Sequence, residues 1–366
     1  MKARDIKIKR QIRRVPNAVA IALAALLLPL SMLPAIPAQA APASLTSQAA
    51  QAAQVTQVTP TSAGGSATVT SATSGTAAVT SGASLSVIDD SGAQLVLTQP
   101  ARRIISLAPH ATELIYAAGG GDWLVGAVDY SDYPDAAKRV PRVGSNSALD
   151  LEKILALRPD LIVVWRHGNA GRQIEALKSL HIPLFFSQPE HLEDISVTLR
   201  KLGILFGTQA QANRAAADFD TRLATLRQQY AARDPVTVFY QVWRAPLMTL
   251  GGKQIVSDVI RLCGGRNVFE DLPELAPTVS TEAVLAKAPQ AIITPSFGTT
   301  VSAMPLESLD AWRRWPQIPA VRAGNLFLVE GDLLNRPGPR MIDGAQALCA
   351  DLDQARVRLK GFPQGN

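Results

Sequence analysis

The sequence predicts an α/β fold in which two Rossmann-like lobes are joined by a single long rigid helix, with a ligand cleft between the lobes. Segments 149–164 and 279–294 align without a gap and share Glu, Leu, Ala, Pro and Ile at matching places. Each segment is typical of a short helix that stops before a proline and is followed by a buried strand. An apolar strand precedes each copy, at 104–107 and 236–241. Two similar α/β lobes are the simplest explanation of this repetition.

The best-defined unit of the first lobe is a strand, loop, helix and strand within residues 103–134. Thr112 is the expected N-cap of its helix, and its second strand leads into a polar turn that holds Tyr130. The loop before the helix carries His110. We expect this loop at the carboxyl end of a parallel strand, where open α/β sheets bind their ligands.

Patterning along the folded part of the chain separates two lobes and a connection. Residues 84–190 form the expected N-terminal lobe, which opens with a β-hairpin, and residues 234–366 form the expected C-terminal lobe. The connection, 191–233, has helical spacing throughout, and neither Pro nor Gly occurs between Thr208 and Asp234. A helix of this length makes a stiff connection, so we expect little closure of the lobes.

The first 40 residues have the features of a cleaved signal peptide. A basic segment is followed by an apolar run over 18–33, and Ala38-Gln39-Ala40 fits a small-residue cleavage site. The apolar run is short for a membrane span, which favours a cleaved export signal over an anchor. Residues 41–83 are mainly Ala, Thr, Ser, Gln and Gly without charge, and they predict a disordered linker.

Charge and cysteine content exclude several functional classes. The chain has 36 Lys and Arg against 30 Asp and Glu, and residues 1–40 hold seven of the basic and one of the acidic residues, which leaves 29 of each. This balance gives no support to a nucleic-acid partner or an anionic membrane. Cys263 and Cys349 are too few for a cysteine zinc site, and export favours a disulfide between them over two free thiols.

Motifs for catalysis are missing from the sequence, so we expect a binding protein that is not an enzyme and has no cofactor. Neither a Gly-x-Ser-x-Gly elbow nor a His-Glu-x-x-His pair occurs. At a helix N-terminus, His110 is expected to be neutral and able to face a ligand or a metal. A histidine that only satisfies nearby backbone groups explains its position equally well.

Aromatic residues follow strand ends on both lobes, at Tyr130, Trp165 and Trp243. Core packing explains any one of them, but three in comparable places predict the walls of a cleft for a bulky, partly apolar ligand. Asp332 and Arg336 have the spacing of a helical ion pair, although the Pro-Gly-Pro that follows disfavours a helix. A salt bridge in a loop, or a contact to the ligand, is preferred.

Glu152 and Glu282 occupy the same position in the two repeat copies. Taken singly, each is a solvated glutamate in a first helical turn. As a matched pair on two similar lobes, they offer two negative docking points to one partner.

Six stretches of the folded part together resemble a known family: SLAPHATEL, VDYSDYP, LDLEKILALRPDLIVVWRHGN, LCGGRNVF, PTVSTEAVLAKAPQAI and RPGPR. They are similar to the periplasmic cobalamin-binding proteins of ABC importers, from the helical-backbone class of metal-chelate substrate-binding proteins. The resemblance runs from about Ser84 to the C-terminus. It implies a periplasmic monomer that captures cobalamin or a related corrinoid and delivers it to the membrane subunits of an importer.

The resemblance also implies roles for individual residues. Tyr130 and Trp165 match positions that line the corrinoid cleft, and Trp243 falls near another. Asp332 and Arg336 match polar contacts to the corrinoid side chains.

Other matches concern docking and the disulfide. Glu152 and Glu282 match the two glutamates that dock onto arginines of the membrane subunits, and Cys263 and Cys349 match a family disulfide.

Three departures from the family pattern leave other ligands open. Asn146 and Ala276 stand where well-known relatives carry tryptophan, and His110 replaces a small residue. We therefore expect a less aromatic cleft, and we hypothesise that His110 approaches the cobalt or serves a related ring. A haem- or ferric-siderophore-binding protein of the same fold is the nearest rival. A metal-dependent enzyme or metal chaperone built around His110 is the rival from another class, although histidines are few.

Overall fold

In the computed structural model, the described part of the chain comprises residues 84–296, 307 and 309–361. The predicted signal peptide and linker, residues 1–83, lie outside it. Within the described residues, no helix has both the length and the apolar character needed to cross a membrane.

A β-hairpin opens the fold, as the sequence predicts. Strand β1 (Leu85–Ile88) pairs antiparallel with β2 (Gln94–Leu97). The Asp89 side chain closes the turn, because its Oδ1 accepts hydrogen bonds from the backbone N–H groups of Ser91 and Ala93 at 2.8 and 3.2 Å. Its Oδ2 accepts from the backbone N–H of Phe186, which ties the hairpin to the first lobe.

The N-terminal lobe is a four-stranded parallel sheet with helices. Its strand order is β4-β3-β5-β6. The strands are β3 (Ile104–Ser106), β4 (Leu124–Ala127), β5 (Leu161–Trp165) and β6 (Leu184–Ser187). The helices are α1 (Pro109–Ala117), α2 (Leu151–Ala156) and α3 (Gly171–Ser179), with 3-10 turns at Gly121–Trp123 and Asp135–Arg139.

Helix α1 begins three residues before the expected N-cap, so the assignment of Thr112 was wrong. Ala108 is the N-cap residue, in an extended conformation, and Pro109 takes the first helical position. Proline suits that position because its φ is already helical and its missing N–H would have no helical partner. Thr112 instead lies in the buried interior, where its Oγ1 contacts Ser106 Oγ at 2.9 Å and Ser131 Oγ at 3.1 Å.

The connection between the lobes, expected as a connecting helix over 191–233, consists of two helices, and the second is the unbroken helix expected between Thr208 and Asp234. Helix α4 (Leu192–Phe206) ends at Gly207, whose φ of 69° is left-handed, and α5 (Gln209–Tyr230) follows. Glycine ends helices readily in this conformation because it has no Cβ to clash. Helix α4 packs mainly on α1 and β1, and α5 also contacts α1, while both helices reach the C-terminal lobe. The uninterrupted helix that links the lobes is therefore α5.

The C-terminal lobe repeats the same plan, with strand order β10-β9-β7-β8 in a second parallel sheet. A disulfide joins Cys263 to Cys349, as expected. The strands are β7 (Val236–Tyr240), β8 (Gly265–Asn267), β9 (Ala291–Ser296) and β10 (Leu326–Glu330). The helices are α6 (Ile255–Leu262), α7 (Thr281–Lys287), α8 (Pro319–Arg322), α9 (Gly331–Leu334) and α10 (Met341–Lys360), with a 3-10 turn at Ala311–Arg314.

The internal repeat seen in the sequence corresponds to equivalent structure in both lobes. Taken in chain order, each sheet places its first strand between its second and third. The N-caps Asp150 and Ser280 each accept a hydrogen bond from the backbone N–H three residues on. Arg158 and Ala288, the residues before the two matching prolines, both have positive φ, 44° and 43°. The two copies therefore share caps and backbone conformation as well as sequence.

Candidate ligand cleft

Most of the predicted ligand residues lie beyond the carboxyl ends of the two parallel sheets. Tyr130 follows β4, Trp165 ends β5 and Trp243 follows β7, while Asp332 lies just after β10. This is the edge of an open α/β sheet at which ligands bind. The candidate site is therefore the cleft that these loops border.

His110 is buried against Trp165. Its side chain is only 2% exposed, and the two rings meet edge to face with centroids 5.3 Å apart. Burial, with a smaller effect of the Arg336 charge, lowers the pKa of His110 from 6.5 to about 3, so the imidazole is neutral at physiological pH. Its Nε2 makes no hydrogen bond to any described residue. Burial thus favours the neutral imidazole, for which a helix N-terminus was the expected cause, and His110 lies in the first turn of α1 and not in the loop before it.

The Trp165 ring lies against the backbone of Gly168. A Cβ added at Gly168 would come within 1.8 Å of an indole carbon, so no larger residue fits without moving the ring. The Trp165 backbone N–H donates to Asn169 Oδ1 at 2.8 Å. The ring is thus fixed from its own loop as well as by its contact with His110.

Asn169 organises this corner of the cleft, and we did not single it out from the sequence. Its Nδ2 donates to the backbone oxygens of Leu107 and Asn146, at 3.0 and 3.1 Å, while Asn146 Nδ2 donates to Gly168 O at 3.2 Å. Three loops are therefore tied together by one buried amide. The only signal for it was its place in the WRHGN stretch, because nothing in the composition of that stretch marks an asparagine as buried.

Tyr130 has an unusual backbone and an exposed side chain. Its φ is 62°, in the left-handed region, and its residue exposure is 78%. This conformation costs a non-glycine residue roughly 1–2 kcal/mol and persists where its surroundings hold it. The neighbouring Ser131 helps to fix this backbone, because it is fully buried and its carbonyl accepts a hydrogen bond from Arg142 Nη2 at 2.8 Å.

Charged residues of the two lobes meet in one group, which we call the ion-pair cluster. It consists of Glu113 and Asp132 from the N-terminal lobe and Asp332, Arg336 and Arg340 from the C-terminal lobe. Arg340 donates two hydrogen bonds to the Glu113 carboxylate, from Nε to Oε2 at 2.9 Å and from Nη2 to Oε1 at 2.6 Å. Arg336 donates from Nη1 to Asp132 Oδ1 at 2.6 Å, and its Nη2 lies 2.9 Å from Asp332 Oδ1. The expected Asp332–Arg336 salt bridge is therefore present.

In the ion-pair cluster, the positive charges of the arginines are balanced by nearby carboxylates. The Glu113 side chain is 2% exposed, and burial raises its pKa against the opposing effects of Arg340 and Arg336. Burial acts in the same sense on Asp132, but the hydrogen bond and charge of Arg336 outweigh it and lower the pKa of Asp132. Three carboxylates face two guanidinium groups, so neither arginine carries uncompensated positive charge.

Trp243 lies on a loop of the C-terminal lobe and is 53% exposed. Its indole Nε1 donates to Ala245 O at 3.0 Å, and its backbone pairs with Met248. The ring therefore keeps a defined position in its loop while much of its surface stays open to solvent or a ligand.

A family model described as a periplasmic binding protein matches residues 104–333, which contain both sheets and five of the six predicted ligand residues. The chain belongs to the periplasmic binding protein family. A vitamin B12-binding protein of Vibrio cholerae is 40% identical over 258 residues, 70% of this chain and 91% of that protein.

Solved structures agree with this assignment. The crystal structure of the periplasmic vitamin B12 binding protein BtuF of Vibrio cholerae matches with a TM-score of 0.65 and 40% identity, covering 70% of this chain and 98% of that one. A periplasmic heme binding protein from Pseudomonas aeruginosa matches with a TM-score of 0.60 and 27% identity, covering 68% of this chain and 92% of the other. The two-lobed fold expected from the sequence is confirmed.

The predicted docking residues of this periplasmic binding protein are exposed at equivalent places. Glu152 lies in the first turn of α2 and Glu282 in the first turn of α7. Hydrogen bonds from its own backbone N–H and from Ser280 lower the pKa of Glu282. Both carboxylates are thus available on the surface of their lobes.

Three residues of the ion-pair cluster, Glu113, Asp132 and Arg340, were missed by sequence reasoning and appeared only within the stretches SLAPHATEL, VDYSDYP and RPGPR. Glu113 and Arg340 pair with each other. They lie 227 residues apart, and no local pattern connects them.

Among the described residues, no group of three or more His, Cys, Asp or Glu side chains is arranged to hold a metal ion.

Proposed function

We propose that this protein is an exported, monomeric, non-enzymatic binding protein that captures cobalamin or a related corrinoid and delivers it to an ABC importer. The 40% identity to a vitamin B12-binding protein supports this choice. Exposed aromatic side chains on both lobes, Tyr130 and Trp243, suit a large ring system with apolar faces. The transported corrinoid is cargo and not a cofactor.

The observation that carries the choice of a corrinoid is the 40% identity to a vitamin B12-binding protein, and the charge balance of the ion-pair cluster agrees with it. Both arginines of this cluster, Arg336 and Arg340, are paired with carboxylates, and His110 is neutral. Haem carries propionate groups and many ferric siderophores are anionic, so they gain most from uncompensated cations. The rim of a corrinoid consists mainly of neutral amides, which can exchange hydrogen bonds with a paired arginine and a carboxylate.

We assign the ligand contacts by chemistry. Tyr130, Trp165 and Trp243 cover the apolar faces of the ring, while Asp332 and Arg336 exchange hydrogen bonds with its amide side chains. His110 acts mainly through the Trp165 ring that it touches. A bond from His110 Nε2 to the cobalt is the second arrangement, and it requires the Trp165 ring to turn aside. An unchanged absorption spectrum of the complex after His110→Ala would exclude that bond.

Delivery and export complete the proposal. Glu152 and Glu282 provide two negative docking points for cationic residues of the importer's membrane subunits. Residues 1–40 act as a cleaved signal peptide, so the protein recovered from the periplasm should begin at Ala41, which N-terminal sequencing checks.

Isothermal titration of the mature protein with cyanocobalamin, haemin and a ferric siderophore tests the proposed ligand. We expect tight one-to-one binding of cyanocobalamin alone. Tyr130→Ala and Trp243→Ala should weaken that binding, whereas Glu175→Gln, on the exposed surface of α3, should leave it unchanged. Tight binding of haemin without binding of cyanocobalamin would transfer the function to haem.

A further inference from the structure

The Pro-rich segment between α9 and α10 connects the two lobes through the ion-pair cluster. Arg336 and Arg340 flank this segment, and their guanidinium groups reach Asp132 and Glu113 of the other lobe. We propose that Glu113, Asp132 and Arg340 are positioning residues, which fix the turn bearing Tyr130 and the relative placement of the lobes in the geometry that receives the ligand. The link to the ligand rests on the proposed function.

The first support is the way in which the Tyr130 turn is held. Tyr130 is left-handed and exposed, but each of the three residues after it has a partner. Ser131 is bonded within its own lobe, to Arg142 and Thr112. The next two residues are held by the opposite lobe: Asp132 by Arg336, and Tyr133 by the Arg340 guanidinium, which lies 3.8 Å from the centre of its ring. A strained backbone persists where such contacts over-determine it.

The second support is the burial of most of the charges that join the lobes. As side chains, Glu113 is 2% exposed, Arg336 12% and Arg340 19%, whereas Asp132 is 46% exposed. Separating the lobes here would leave Glu113 buried without its partners, or would draw water into the contact, and either change is unfavourable for a desolvated ion pair. The ion-pair cluster therefore resists opening in a way that exposed pairs such as Lys178–Glu175 do not.

The third support is that α5 and the ion-pair cluster are separate connections. Helix α5 runs from residues that contact α1 to residues that contact α6 and α10. The cluster joins α1 and the Tyr130 turn directly to the segment before α10. Helix α4 also contacts α6, so the ion-pair cluster adds to the contacts that both helices of the connection make with the C-terminal lobe. Each added connection restricts rotation of the lobes further, and this one includes the turn that bears a proposed ligand contact.

Hydrogen exchange of the ligand-free mature protein tests the positioning role. We compare the wild type with Arg340→Gln, Asp132→Asn and the control Glu175→Gln, following the amides of residues 128–136. We expect exchange about tenfold faster in both cluster variants and unchanged in the control, because the turn loses a contact that opposes its local opening. Asp132→Asn is the milder change, since it keeps the Arg340–Glu113 pair, and it carries the test if Arg340→Gln does not fold.

Titration with cyanocobalamin then tests the link to the ligand. Both cluster variants should bind about tenfold more weakly than the wild type, mainly through faster dissociation. Exchange rates equal to those of the wild type in Asp132→Asn would overturn the positioning role. Faster exchange with unchanged affinity would overturn its connection to the ligand. A wild-type protein that binds no cyanocobalamin would refute the proposed function alone, because the exchange measurement needs no ligand.

Discussion

The buried, neutral His110 should make the stability of the protein depend on pH in a way that one substitution removes. Its folded-state pKa is about 3, against 6.5 in the unfolded chain. Between these values the unfolded state binds a proton that the folded state does not, so stability is fully present above pH 6.5 and falls as the pH drops towards 3. The slope approaches about 1.4 kcal/mol per pH unit. At pH 5 the loss should reach about 2 kcal/mol.

Urea unfolding of the wild type and His110→Gln at pH 7.5, 6.5, 5.5 and 5.0 measures this loss. Carboxylates elsewhere also titrate towards the lower end, but they contribute equally to both proteins. The stability difference between the two should therefore change by about 2 kcal/mol from pH 7.5 to 5.0, in favour of the variant. His181→Gln is the matched control, because His181 is exposed. A difference that does not change with pH would refute the buried, neutral state of His110.

Three further predictions concern docking, packing and the disulfide. Reversing the charge of both Glu152 and Glu282 to lysine should abolish transport by a reconstituted importer and leave ligand affinity intact; a parallel loss of affinity would contradict the docking role. Gly168→Ala should cost about 1–3 kcal/mol through overpacking and shift the tryptophan fluorescence, whereas at Gly171 an added Cβ meets nothing within 4 Å, so Gly171→Ala is the control. Reducing the disulfide, whose cysteines are 86 residues apart, should lower the unfolding free energy by about 4 kcal/mol in the chain-entropy model, and an unchanged urea midpoint would contradict this.

Local patterns predicted the parts of the fold that local interactions determine. The two helix–proline–strand copies are visible in sequence because N-caps, the proline after each helix and buried strands each have their own residue signals. Where two local signals compete, the prediction was wrong. Pro109 started α1 ahead of Thr112, because a fixed φ at the first helical position outweighs a hydroxyl cap. Where no signals compete, the prediction is confirmed: the unbroken helix expected after Thr208 is present as α5.

Contacts between distant segments could not be predicted from these patterns. The His110–Trp165 contact and the Glu113–Arg340 pair depend on how loops from different strands meet, and neither residue type has a local signature of its partner. Asn169 was missed for the same reason, since its burial follows from the three loops that converge on it. The sequence thus indicated the edge of the sheets that bears the candidate site, but not the side chains that arrange it.

The rigidity of the loops that carry Tyr130 and Trp243 affects how much free energy a ligand gains on binding. Tyr130 and Trp243 keep large exposed surfaces, 78% and 53%, on backbones that are already held in place. A ligand that covers them removes apolar surface from water without first ordering the loops, so little of the gain is lost to conformational entropy. The same stiffness means that the lobes cannot adjust freely to a ring of another size. We therefore expect selectivity among large rings to follow from lobe spacing, which we propose the connecting helices and the ion-pair cluster set together.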